Sequence, residues 1–177
     1  MHMGFADTLV NSLRSLNMPD WLVIALISLM PFIEMRGAVP IAVLFYHWDL
    51  GVALLFSGIV SLIPGLVIVF YLDRLEPHLR KVKLFDRALN KAFEWTRKKH
   101  AEPDAQKKRD RRALILLAIL VALPGPGTGA WTGGLVSYVF EVPKKKAVVA
   151  LLLGVVGEAV AIAALVLLFQ WSVSQLP

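Results

Sequence analysis

Three places in the chain hold residue types that could do chemistry. The first is Glu34-Met35-Arg36-Gly37, two opposite charges at i, i+2 set between the apolar runs Leu22–Ile33 and Ala38–Tyr46. Ionisable groups at membrane depth are costly and are functional candidates by default. The second is LPGPGTGAWTGG, Leu123–Gly134, with five glycines and two prolines in twelve residues. Gly and Pro are the weakest helix formers, so this backbone must be irregular. A helix is expected to restart at Ala130-Trp131-Thr132, and its unpaired amides and positive end suit a phosphate or carboxylate. Arg36, Gly127, Thr128, Gly129 and Trp131 are therefore the candidate substrate-binding residues, forming an anion site. The third is Glu158, the sole charge in the run Ala147–Trp171, with Gly154 and Gly157 leaving space beside it. Glu34 and Glu158 are the candidate proton carriers.

Each has a plainer alternative. Glu34 and Arg36 could be a structural ion pair. The glycines could permit close helix packing. Glu158 could hydrogen-bond a freed carbonyl. The glycine stretch is not a phosphate-binding P-loop, because no Lys follows its last Gly. No cysteine is present and the four histidines are scattered, so no metal or cofactor is expected. No Ser–His arrangement suggests catalysis, and no enzymatic activity is expected. Of 19 Lys and Arg, 14 lie between Arg74 and Arg112, without a recognition motif, so no nucleic acid partner is expected.

The elements that must position these residues are apolar helices. The chain has 177 residues, 57% apolar and 18% charged, with a mean hydropathy of +0.65. The reading is an all-α integral membrane protein forming one membrane domain over 1–177. Residues 5–16 form an interfacial helix, with Phe5, Leu9, Leu13 and Leu16 at helical spacing. Residues 21–46 form a first hairpin with Pro31, Gly37 and Pro40 at its tip, and Trp21 as an aromatic anchor. Residues 50–72 span the membrane, with Pro64 as a kink site. Residues 74–112 form a basic amphipathic segment ending in a polar loop over Ala101–Asp110. Residues 113–140 form a second hairpin with Pro124 and Pro126 at its tip, and residues 147–171 span again.

Each hairpin arm is about ten residues, roughly 15 Å of helix, half of a ~30 Å hydrocarbon core. Charge settles how they sit. If 113–140 crossed the membrane, Lys144-Lys145-Lys146 would face the side opposite the central basic segment, against the positive-inside tendency. If both hairpins dip in and return, residues 74–112 and 144–146 share the cytoplasmic side of a multi-pass cell-membrane protein. The two halves then form inverted repeats, each a re-entrant helical hairpin plus a transmembrane helix. Leu55, Gly58 and Val60 recur as Leu151, Gly154 and Val156, 96 residues later. Broken elements that meet near the midplane are a transporter design.

Pro31-Phe-Ile-Glu34-Met-Arg36-Gly-Ala38-Val-Pro40 and Leu123-Pro124-Gly-Pro126-Gly127-Thr128-Gly129-Ala130-Trp131-Thr-Gly133 resemble the small multidrug export proteins, relatives of the DedA/VTT membrane proteins. The resemblance runs over about Leu22–Phe169. Ser61 stands where family members often carry Asn, and Glu158 matches no family position. The resemblance implies a re-entrant-loop membrane protein, and DedA relatives are associated with lipid flipping and the proton-motive force. The leading expectation is a transporter or flippase for an anionic, phosphate-bearing lipid of the polyprenyl phosphate or phospholipid class, with proton coupling. One alternative is a proton-coupled exporter of small amphipathic drugs, in which Glu34 and Glu158 hold the cation. Another is a non-transporting membrane scaffold. Membrane lipids are the expected partners, and a homodimer would cover the polar hairpin backbone.

Overall fold

The computed structural model describes residues 18–79, 103–125 and 127–175. The interfacial helix expected over 5–16, residues 80–102 of the amphipathic segment, and Pro126 lie outside the described residues. The described residues form six helices and no strand: α1 (Asp20–Leu29), α2 (Glu34–Phe45), α3 (Leu50–Leu79), α4 (Pro103–Ala122), α5 (Ala130–Val139) and α6 (Lys144–Ser174). Two are long and apolar enough to cross a membrane, over Leu50–Arg74 and Lys144–Ser174. At 1.5 Å per residue α6 is about 46 Å long, whereas α1 and α5 are about 15 Å.

Local chemistry sets the helix ends. Pro19 precedes α1 and its carbonyl accepts the Leu22 amide at 2.9 Å. Asp49 caps α3, its Oδ1 accepting the Gly51 and Val52 amides at 2.8 and 3.1 Å. Between α1 and α2, the Ile33 amide donates to the Met30 carbonyl at 3.4 Å, closing a four-residue turn with Pro31 second and Phe32 third. Phe32 has φ +77, as the third residue of a type II turn requires. Between α4 and α5, the Thr128 amide donates to the Gly125 carbonyl at 3.2 Å, and the third residue, Gly127, has φ +80. Each hairpin tip thus carries a left-handed third residue in a hydrogen-bonded four-residue span, Phe32 in one and Gly127 in the other.

Three boundaries differ from the sequence reading. The first break is at Met30–Ile33, not at Glu34–Gly37, because Pro31 and Phe32 make the turn and Glu34 already opens α2. Gly37 and Pro40 therefore lie inside α2 rather than at the tip. Pro40 supplies no amide for the Arg36 carbonyl one turn earlier. α3 continues through Asp73-Arg74 to Leu79; Asp, Arg, Leu and Glu carry the helix past the change in composition, and Pro77 falls in its last turn. Pro103–Asp110 is the start of α4 rather than a loop. Pro is tolerated at a first helical position, and Ala, Gln, Lys and Arg continue a helix well.

Side chains packed across the helices fix their directions. A Cβ built on Gly154 meets Val121 and the Ala118 carbonyl, and one on Gly157 meets Ala122. Later residues of α4 therefore meet later residues of α6, and the two run parallel. These glycines bring α4 against α6, so the space expected beside Glu158 is filled. α5 returns to the end where α6 begins. There Tyr138 hydrogen-bonds Glu76 on α3, and Lys144 Nζ lies 2.5 Å from Asp73 Oδ2. The α1–α2 hairpin joins the other end of α3 through the short link 46–49, and Trp48 packs edge-on against Phe56. The core is apolar and made by all the helices except their outer faces, with Val23, Ile24, Met35, Val39, Leu117, Val121 and Leu151 fully or nearly fully buried.

Candidate functional site

The two tips meet beside α6. α2 carries Glu34 and Arg36 in its first turn, the α4–α5 link carries Thr128 and Gly129, and α6 carries Glu158 at about its midpoint. Arg36 is the hub. Its Nη2 donates to Glu34 Oε2 at 3.0 Å and to the Thr128 carbonyl at 2.5 Å. Its Nη1 donates to Thr128 Oγ1 at 3.3 Å. Its Nε faces Glu158 Oε1 at 3.6 Å, an ion pair too long for a hydrogen bond. The Arg36 side chain is 14% exposed, against 1% for either carboxylate.

Glu34 also serves α5. Its Oε1 accepts the Trp131 amide at 3.3 Å, and the Ala130 amide is directed at the same carboxylate. The unpaired amides and positive end of α5 thus receive a carboxylate from the chain itself. Gly129 makes this approach possible: it has φ +112, and a Cβ there would overlap the Glu34 carboxylate and sit 2.7 Å from Arg36 Nη2.

The other tip residues knit the turn. Thr128 Oγ1 lies 2.5 Å from the Leu123 carbonyl and 2.6 Å from the Gly125 carbonyl, and it accepts the Gly125 amide at 3.1 Å. Trp131 reaches across the tips, its Nε1 donating to the Leu29 carbonyl at 3.2 Å. That carbonyl ends α1 and has no partner within its own helix. Ser61, on α3, donates to the Ser28 carbonyl at 3.3 Å, a second tie to the first tip.

The cluster is unbalanced. Two carboxylates surround one guanidinium. Among the described residues, neither oxygen of Glu158 receives a hydrogen bond, and Arg36 Nε and the buried Ser57 hydroxyl have no hydrogen-bond partner either. Leaving a carboxylate buried without donors costs several kcal/mol, about the penalty of an unpaired buried charge. No group of His, Cys, Asp or Glu suited to a metal ion occurs among the described residues.

Of the residues singled out in the sequence, Glu34, Arg36, Thr128, Gly129, Trp131 and Glu158 are brought together. Gly127 is exposed at the second tip with nothing within 4 Å of a built Cβ. Pro31 is at the first tip and Pro124 at the second. The anion position at α5 differs from expectation: Glu34 fills it. Sequence reasoning missed this because it treated Glu34 and the α5 amides as separate features. The Lys144–Asp73 pair also has no counterpart in the sequence analysis. No local sequence signal links residues 71 positions apart.

The family model described as “Putative small multi-drug export protein” matches residues 34–162, from the first residue of the Glu34–Arg36 pair to one turn past Glu158. The chain belongs to this family. No curated protein and no solved structure matches it. The small multi-drug export family identifies a membrane transporter, in accord with the two long apolar helices. Its matched segment contains every residue of the buried cluster.

Proposed function

We propose that this exporter exchanges protons for a small organic cation at the Glu34–Arg36–Glu158 cluster. The carrying observation is the excess carboxylate: Glu158 has both oxygens buried without a hydrogen-bond donor, 3.6 Å from an arginine already shared with Glu34. A buried site with one net negative charge binds either a proton or a cation, and competition between them is the basis of antiport. The lipid-phosphate reading needs Arg36 and the α5 amides open to an external anion. Here Thr128 and Glu34 engage them, which favours the cation.

The topology in this proposal is two re-entrant hairpins dipping from opposite sides, related as inverted repeats, with the tips at the membrane midplane. Three observations support it. The arms are half-length, Glu158 lies midway along α6, and the Lys144–Asp73 pair puts the basic start of α6 beside the end of α3. Irregular backbone at such depth is tolerated where protein covers it, as each tip covers the other. Residues 74–112 and 144–146 are then cytoplasmic.

Proteoliposomes with an imposed pH gradient test the proposal. Wild type drives efflux of a cationic dye, Glu158→Gln does not, and neither moves a fluorescent lipid-phosphate across the bilayer. Lipid-phosphate movement that is lost in Arg36→Ala would replace this reading with the lipid one.

A further inference from the structure

Along the pair α3 and α5, close packing gives way to a cavity. A Cβ built on Gly65 would lie 2.6 Å from the Ala130 carbonyl oxygen, and one on Gly134 would lie 2.9 Å from the Gly65 carbonyl oxygen. Backbone sits against backbone there, as small residues allow. One turn further along α3 the contact opens into a cavity of about 390 Å³, whose lining includes Val69, Asp73, Glu76, Ser137, Tyr138 and Lys144. Polar contacts join its two sides at the rim. Tyr138 hydrogen-bonds Glu76. Lys144 Nζ lies 2.5 Å from Asp73 Oδ2 and donates to the Phe70 carbonyl at 3.4 Å. Asp73 and Lys144 are half exposed, and an ion pair so exposed holds weakly. On the other side of the glycine contact is Pro64, inside α3. It supplies no amide to the Val60 carbonyl, so α3 bends there at low cost.

We infer that the part of α3 after Pro64 is a gate, hinged at Pro64-Gly65 and latched to α5 and α6 by the Tyr138–Glu76 and Lys144–Asp73 contacts. Breaking the two contacts opens the cavity to solvent at the end of the bundle where α6 begins, while the glycine contact stays as the fulcrum. The fulcrum borders the buried cluster: Gly65 abuts Ala130, whose amide is directed at the Glu34 carboxylate. A transporter exposes its site to one side at a time, and an arm pivoting beside that site does so. A purely structural tie would need neither a proline in mid-helix nor a cavity next to it, because packed side chains hold helices together better. The inference rests on the chain being a transporter and on no particular substrate.

The test reads access to Ser137, which is buried although it lines the cavity. The chain has no cysteine, so Ser137→Cys supplies the sole thiol. Its rate of reaction with N-ethylmaleimide, on the purified full chain without substrate, measures opening. Adding Asp73→Asn and Tyr138→Phe removes the latch and raises that rate about tenfold. Adding Pro64→Ala restores the missing helix hydrogen bond and lowers the rate about threefold, with or without the latch, at an unchanged or raised melting temperature. Equal rates with and without the latch overturn the inference. A rate raised by loss of the latch but insensitive to Pro64→Ala shows general loosening rather than a hinged arm, and also overturns it. Either result leaves the exchange reading intact, because no substrate enters the measurement, and failure of the exchange reading leaves the expected rates unchanged.

Discussion

Glu34 caps the helix that follows the opposite hairpin tip: its Oε1 accepts the Trp131 amide at 3.3 Å while its Oε2 accepts from Arg36 at 3.0 Å. One carboxylate thus joins two tips that are 97 residues apart in sequence. Glu34→Ala removes the cap and leaves Arg36 without its nearest counter-charge, a loss of about 3 kcal/mol or more. Glu34→Gln keeps an oxygen for the Trp131 amide and loses about 1–2 kcal/mol. Thermal unfolding in detergent should therefore rank wild type above Glu34→Gln, and Glu34→Gln well above Glu34→Ala. Equal melting temperatures for the two variants would show that the carboxylate is not a cap.

Gly129 and Gly127 both have positive φ, but only Gly129 faces the cluster. Ala at Gly127 meets nothing within 4 Å and costs the left-handed backbone alone, about 1–2 kcal/mol. Ala at Gly129 adds an overlap with the Glu34 carboxylate, which must move and release the tip. Gly129→Ala should abolish both transport and the folded detergent-stable form, while Gly127→Ala retains most activity. Comparable activity in the two variants would contradict the close approach of Glu34.

Part of this arrangement was legible from the residues. The half-length apolar runs around Pro31 and Leu123–Gly129 announced hairpins, and the restart of helix at Ala130 follows directly from the end of the glycine stretch. Glu34, Arg36 and Glu158 stood out because charge is rare in such runs. The details that decide the chemistry were not legible. That Glu34 faces α5, rather than a ligand, depends on contacts between tips far apart in sequence. Polar composition does not separate helix from loop over Pro103–Asp110, because Lys, Arg and Gln are good helix formers. The turn at Met30–Ile33 was displaced from the expected break because Phe is a poor guess for a residue with φ +77.

The proposed placement of both basic clusters on one side of the membrane is open to chemical labelling, since the chain has no cysteine. A cysteine at Lys145 should react with a membrane-impermeant maleimide only from the cytoplasmic side, and one at His47 only from outside. Lys144 and Asp73, 2.5 Å apart, predict that cysteines at Lys145 and Arg74 label from one side. Labelling of Lys145 and Arg74 from opposite sides would exclude the topology.

The central claim is that Glu158 holds a proton that a cation displaces. Calorimetry in two buffers of different ionisation enthalpy measures the protons released when tetraphenylphosphonium binds the purified protein. The account predicts release of about one proton by wild type, and release close to zero with markedly weaker binding by Glu158→Gln. Cation binding by wild type with no proton release, or the same release from Glu158→Gln, would contradict it.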